Sequence, residues 1–197
     1  MPADPSRTID PRFLLRAYCA GYFPMADDAT GEIGWYSPDP RAIIDLAAFH
    51  VPRRLERTVR SGRFEVRADT AFETVIRACA GRDQTWISEA IIGSYAQLFG
   101  QGLAHSVESW RDGELVGGLY GVAVKGAFFG ESMFSRQTDA SKVALVALVA
   151  RLRAGGFVLL DTQFTTPHLA GFGARNIPRD EYLDRLANAL AVEARFG

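Results

Sequence analysis

The dipeptide Asp112-Gly113 narrows the folds open to this chain more than any other feature. Asp-Gly supplies the positive φ angles of a tight two-residue turn, and it stands between two strand-like runs, His105 to Trp110 and Leu115 to Val124. An antiparallel hairpin is therefore expected. Lys125-Gly126 follows at once and opens a third run, Ala127 to Phe134. Asp139 is placed to cap a helix over 140–153 that ends at Gly155-Gly156. Beyond it, Phe157-Val-Leu-Leu-Asp-Thr-Gln163 is a near-continuous apolar run. That pattern belongs to a strand buried on both faces and paired in parallel across a helix.

Upstream, Asp10-Pro11 is a capping residue followed by a proline suited to the first helical position. Phe13, Leu14, Ala17, Tyr18 and Ala20 then recur at helical spacing until Gly21. Ala42 to Leu46 and Phe64 to Ala68 read as strands, whereas Ala71 to Ala80 and Ser88 to Gly100 carry the 3.6-residue period of amphipathic helices. A last helix is expected from Asp180 to about Ala194. Six of the nine prolines (Pro2, Pro5, Pro11, Pro24, Pro38 and Pro40) fall early, which predicts a small turn-rich N-terminal lobe over 1–40 and a main domain over 41–197. Three antiparallel strands, a helix and a parallel return predict an α+β chain with a GNAT-like (acyl-CoA N-acyltransferase-like) mixed β-sheet flanked by helices. Folds host unrelated chemistries, so the order of elements assigns none.

Composition then removes whole classes. With 22 Lys plus Arg against 23 Asp plus Glu and 48% hydrophobic residues, the chain is neither a disordered tail nor a polybasic nucleic-acid binder. The longest apolar stretch, Val143 to Ala150, is far short of the ~20 residues that span a bilayer. Residues 1–11 lack a signal-peptide apolar centre, so no membrane association and a cytoplasmic location are expected. Cys19 and Cys79, distant and outside any CxxC, fit two buried thiols in a reducing compartment. His50, His105 and His168 show no metal-ligand spacing, and no metal is expected. Gly121-Val-Ala-Val-Lys-Gly126 lacks the ending of a phosphate-binding Walker loop, and Gly171-Phe-Gly173 continues to Asn176 where a dinucleotide fingerprint needs glycine. Gly130-Glu-Ser-Met-Phe134 begins like a nucleophile elbow but closes on Phe. The loop Ser135-Arg-Gln-Thr-Asp139 has no glycine with which to seat a CoA pyrophosphate.

Several segments taken together resemble the leucyl/phenylalanyl-tRNA–protein transferases. They are Ser37-Pro-Asp-Pro-Arg41, Thr85-Trp86-Ile87, Glu114-Leu-Val-Gly-Gly118 with Tyr120-Gly121-Val122, Gly130-Glu-Ser-Met-Phe-Ser-Arg136, Ala140-Ser-Lys142, Asp161-x-Gln163, His168 and Ile177-Pro-Arg179. The match runs in order from about Tyr22 to the last helix. It implies transfer of Leu or Phe, and less well Met, from Leu-tRNA or Phe-tRNA to the α-amine of proteins or peptides with an N-terminal Arg or Lys, in the N-end rule degradation pathway. A CoA-dependent N-acyltransferase on the same fold is the alternative. The donor ester is already activated and the acceptor amine has a pKa of about 8, so the chemistry requires neither ATP nor another cofactor. A monomer is expected.

The resemblance assigns catalysis to Asp161, Gln163 and Glu131. Two apart on a strand, Asp161 and Gln163 are expected to face the same way, with Gln163 orienting the attacking amine and Asp161 polarising it; alternatively Asp161 caps a turn. Glu131, inside an apolar strand, requires a partner, either the α-ammonium of the donor or Arg136. Phe128 and Met133 match the lining of the aminoacyl pocket, and Leu119 and Leu148 take further positions where the family carries Met or an aromatic; singly, each also reads as ordinary core. Trp86 is expected to stack on the terminal adenosine of the tRNA or to serve as an apolar anchor. Arg53, Arg57 and Arg60 fall on one helical face that matches the basic, phosphate-binding cluster of the family; a solvated face is the other reading. For the acceptor's Arg or Lys side chain, Asp27, Asp28, Asp139 and Glu131 stay open.

Overall fold

The computed structural model describes residues 8–82 and 84–197; Pro2 and Pro5 of the expected lobe lie outside the described residues. In chain order the elements are α1 (Pro11–Cys19), β1 (Phe23–Ala26), β2 (Ile33–Tyr36), β3 (Arg41–Ile44), α2 (Arg53–Arg60), β4 (Glu65–Ala68), α3 (Phe72–Ala80) and α4 (Glu89–Gly100). There follow β5 (Ala104–Arg111), β6 (Glu114–Val124), β7 (Ala127–Ser135), α5 (Ala140–Ala154), β8 (Leu159–Gln163), α6 (Pro167–Ala170), β9 (Ala174–Ile177) and α7 (Arg179–Leu190). β1 and β2 form their own hairpin, and the other seven strands form one sheet in the order β4-β5-β6-β7-β8-β3-β9. Every pairing in that sheet is antiparallel except β7 with β8.

The local chemistry follows expectation at the turns. Asp112 and Gly113 both adopt positive φ between β5 and β6, as does Lys125 between β6 and β7. Asp10 accepts a hydrogen bond from the Phe13 amide and Ser88 one from the Ile91 amide, capping α1 and α4. Asp139 departs from its expected role: it has a φ of 71° and makes no side-chain cap, because its carboxylate is held by Lys142 at 3.0 Å and Arg54 at 3.4 Å. The last helix stops at Leu190, short of Ala194. There the chain leaves the helix, the Arg195 amide bonds to the Gly155 carbonyl, and Phe196 stacks on Phe128. Cys79 is buried as expected, but Cys19, at the end of α1, is exposed.

Alternate residues of each strand feed two cores. Tyr120, Phe129 and Leu159 face α1, α3, α4 and α7, whereas Leu119, Phe128 and Leu160 face α5 and α2. Gly117 allows the start of α5 to lie against β6, since a Cβ there would come within 2.5 Å of the Ala140 methyl. Among the described residues no helix is long and apolar enough to cross a membrane.

Two irregularities set up the site. Tyr120 and Gly121 pair with Ser132 and Gly130, so Glu131 is the extra residue of a β-bulge in β7. Ala42 and Ile43 pair with Gln163 and Asp161, so Thr162 is the extra residue of a second bulge in β8. Bulges re-aim side chains and end regular pairing. β7 and β8 accordingly pair only over Ala127–Phe129 and Leu159–Asp161, and past that point the two parallel strands no longer pair.

Candidate active site

The gap between the diverging strands is a cavity of about 440 Å³, within the size range of small-ligand pockets. Gly130 to Ser135 of β7 line one side and Leu160 with Thr162 to Phe164 the other, while α5 supplies Ser141, Leu145 and Leu148. Four buried side-chain polar atoms lack a partner among the described residues: Tyr120 Oη, Thr162 Oγ1, Gln163 Nε2 and His168 Nε2. All four residues line this cavity. Because buried polar groups are almost always paired within a fold, their concentration here marks a place built to hold a polar ligand. A wider hollow of about 980 Å³ between α5 and the tail is lined largely by small residues such as Ala147, Ala150 and Gly155.

Asp161 sits behind the cavity wall, fully buried. Its carboxylate accepts from Arg41 Nε at 2.9 Å and Nη2 at 2.6 Å, from Tyr182 Oη at 2.8 Å and from the Gln163 backbone amide at 2.9 Å. The Thr162 bulge breaks the alternation that would have turned Asp161 and Gln163 to one face. Asp161 thus does not reach the cavity that Gln163 lines, and direct polarisation of an amine is replaced by a structural grip. Part of that grip is the turn cap considered as its other reading, since the carboxylate fixes the amide of Gln163, whose φ is +57°. Arg41 also donates to the Gly21 carbonyl and lies between the rings of Phe23 and Tyr182, at 4.7 and 4.5 Å.

Glu131 has a different environment. Tyr18 Oη lies 2.7 Å from Oε1 and Tyr95 Oη 3.1 Å from Oε2, and the two phenol oxygens are also within hydrogen-bond distance of each other, three contacts that share the two phenolic protons and, when the carboxyl is protonated, its own. Among the described residues no cation pairs with Glu131. Arg136 bonds instead to the Leu115 carbonyl and covers the Phe134 ring. Burial pushes the Glu131 carboxyl up to about 7, against the pull of the two tyrosines. A carboxylate on the cavity wall, held by phenols alone, is suited to receive a cationic group.

Of the expected pocket residues, Leu119, Met133 and Leu148 line the cavity, joined by Leu145, Leu160 and Leu169. Phe128 does not: it is fully buried behind the wall, against Phe157 and Phe196. Phe128 precedes the bulge and lies where β7 still pairs with β8 at Leu160, whereas Met133, four pairs further along β7 on the same α5-facing side, lies past the point where the strands part. Trp86 lies on the opposite rim with Arg82 and Met25. His168 completes the mouth; burial, followed by the charge of Lys142, lowers its pKa and favours a neutral ring.

Arg53, Arg57 and Arg60 are exposed along α2. Arg60 is paired with Glu56 at 2.6 Å, while Arg53 and Arg57 have no carboxylate partner among the described residues. Arg54 of the same helix reaches Asp139, which also holds Lys142. The basic face therefore connects through α5 to the cavity mouth at Ser141 and His168.

Sequence comparison agrees with the motifs. A family model described as leucyl/phenylalanyl-tRNA protein transferase matches residues 43–187, and one for the N-terminal domain of that family matches residues 7–39. Proteins named leucyl/phenylalanyl-tRNA–protein transferase are similar over nearly the whole chain. That of Herpetosiphon aurantiacus is 59% identical over 192 residues, covering 97% of this chain and 100% of its own. That of Paramagnetospirillum magneticum is 60% identical over 195 residues, covering 96% and 93%. That of Gloeobacter violaceus is 58% identical over 189 residues, covering 96% and 98%.

Proposed function

The chain belongs to the leucyl/phenylalanyl-tRNA–protein transferase family, and on that premise we propose that it joins Leu or Phe from aminoacyl-tRNA to the α-amine of proteins bearing an N-terminal Arg or Lys. As an aminoacyltransferase it breaks one ester and makes one amide. The amine nitrogen attacks the ester carbonyl, the C–N bond forms as the C–O bond to the ribose breaks, and the proton lost by the amine is taken up by the leaving hydroxyl. Positioning suffices, since the donor is already activated.

The observation that carries this reading is a single cavity with an apolar end, a cation-seeking carboxylate and unpartnered polar atoms. Leu119, Met133, Leu145, Leu148 and Leu160 offer the donor side chain an apolar socket. Glu131, when ionised, holds the donor's α-ammonium. Gln163 orients the acceptor amine with its side-chain amide, and Asp161 acts through Gln163 as a positioning residue. Trp86 on the rim offers a stacking face for the terminal adenosine, and Arg53, Arg57 and Arg60 contact tRNA phosphates without reading sequence. A GNAT-like sheet is supported by the β5-β6-β7 meander, α5 and the diverging parallel β8. An N-terminal lobe over 1–40 and a catalytic domain over 41–197 are supported by the separate β1–β2 hairpin and by the break between the two family matches. Against CoA as donor stands Asp139, whose carboxylate occupies the start of α5 where a pyrophosphate would sit.

The test uses radiolabelled Leu-tRNA, two peptides that differ only in an N-terminal Arg or Ala, and acetyl-CoA as a parallel donor. Label moving from tRNA to the Arg peptide alone is the expected result. Acetylation without transfer from tRNA would overturn it.

A further inference from the structure

The left-handed φ of +57° at Gln163 turns the chain at the end of β8, and the next residue, Phe164, is left 48% exposed. Its ring stands edge-on to that of Phe23, with centroids 5.9 Å apart, and Phe23 lies 6.2 Å from Tyr36, which is 44% exposed. Phe23 is buried and carries the Arg41 guanidinium over its ring. The rings are thus tied to the Arg41–Asp161 pair that fixes Gln163, yet two of them offer nearly half of their surface to water. Phe23 and Phe164 line the cavity, and Tyr36 extends the same row outward.

Any polypeptide whose α-amine is seated at Gln163 carries its second residue only ~3.8 Å further along the backbone. Phe164, covalently joined to Gln163, lines the same cavity and presents an apolar face beside it. Resting on the transferase reading above, we propose that Phe164, Phe23 and Tyr36 form an aromatic ledge that receives the side chain of the acceptor's second residue and favours an apolar or aromatic one there. A glycine leaves the ledge wet, and an acidic side chain loses hydration against it without gaining a partner.

The experiment measures kcat/KM at saturating Leu-tRNA for four peptides that begin Arg-Leu, Arg-Tyr, Arg-Gly and Arg-Asp and are otherwise alike. The parent is expected to favour Leu and Tyr over Gly by about tenfold, a ratio that falls to about twofold in Phe164→Ala. Tyr36→Ala reduces the ratio less, and Phe164→Leu restores most of the preference for leucine, which a merely structural role would not predict. The same ratio in the parent and in Phe164→Ala, or an equal loss of rate with all four peptides, overturns the ledge and leaves the transferase reading intact. No transfer from Leu-tRNA to any of the peptides by the parent overturns the transferase reading, and the ledge with it.

Discussion

Asp161 and Glu131 are both carboxylates drawn into the fold on neighbouring strands at β-bulges, yet they are held in opposite ways. Asp161 has a guanidinium of its own chain and four donors on its two oxygens. Among the described residues, Glu131 has two phenols and no cation. Leaving a buried charge without a counter-charge costs stability, and a fold tolerates that cost where a ligand supplies what is missing. The first carboxylate is accordingly read as framework and the second as a receptor. Charge pairing within the chain, more than burial or proximity, separates the two roles.

Removing Arg41 should break this contrast most severely. Arg41→Ala strands Asp161 and is expected to cost about 3–5 kcal/mol in denaturant unfolding. Arg41→Lys should recover only part of it, since one ammonium lacks the two-pronged geometry of the guanidinium. Unfolding curves that match the parent would show that Asp161 does not depend on its partner. At Glu131 the order of effects should reverse: Glu131→Gln is expected to leave unfolding at pH 5 nearly unchanged and to stabilise the fold at neutral pH, while raising the KM for Leu-tRNA about tenfold, or about 1.4 kcal/mol. An unchanged KM would return Glu131 to the framework.

The same carboxyl sharpens the comparison through pH. Its folded pKa of about 7 lies above the ordinary 4.5, so between these values the folded state holds the proton that the unfolded state has lost. Stability should therefore fall as pH rises through that window. The parent's Tm is expected to drop by a few degrees relative to Glu131→Gln between pH 5 and 7; parallel Tm curves would contradict the shift. The smallest effect extends the argument to exposed charge. Arg53→Ala and Arg57→Ala should each lower the salt slope of tRNA binding by about 0.7–0.9, and Arg60→Ala by less, because Glu56 already engages it. Equal slopes for all three would mean that pairing within the chain does not matter at this surface.

Long elements with strong turn chemistry were legible from sequence: Asp112-Gly113, Asp10-Pro11 and Ser88 sit where local hydrogen bonding decides the geometry. The strands β1, β2 and β9 were not: β3 and β4 are as short, but Ile43, Ile44 and Val66 mark them, whereas Pro24, Gly34 and Asn176 interrupt the other three. The bulges at Glu131 and Thr162 were hidden for another reason. A one-residue insertion is written only in strand register: the one at Thr162 turned Asp161 away from the face of Gln163, and the one at Glu131 brought Met133 to the α5-facing side. Arg41, the residue the site depends on most, was visible within Ser37-Pro-Asp-Pro-Arg41 without a role. An arginine opening the run Ala-Ile-Ile was the available signal, since a guanidinium at the head of a buried strand demands a carboxylate. Tyr18 and Tyr95 passed as members of apolar helix faces, and only their hydroxyls distinguish them.

The contacts that complete the candidate site are among the most distant along the chain, 120 residues for Arg41 with Asp161 and 113 for Tyr18 with Glu131. Tyr182, which closes the Asp161 cluster, lies on the last helix. A protein growing on the ribosome folds from its N-terminus as it emerges, so this site is assembled only when synthesis is nearly finished. A nascent or prematurely terminated chain that stops before α7 has no completed site. Such a product is expected to lack transfer activity even though α2 and its basic face are already present.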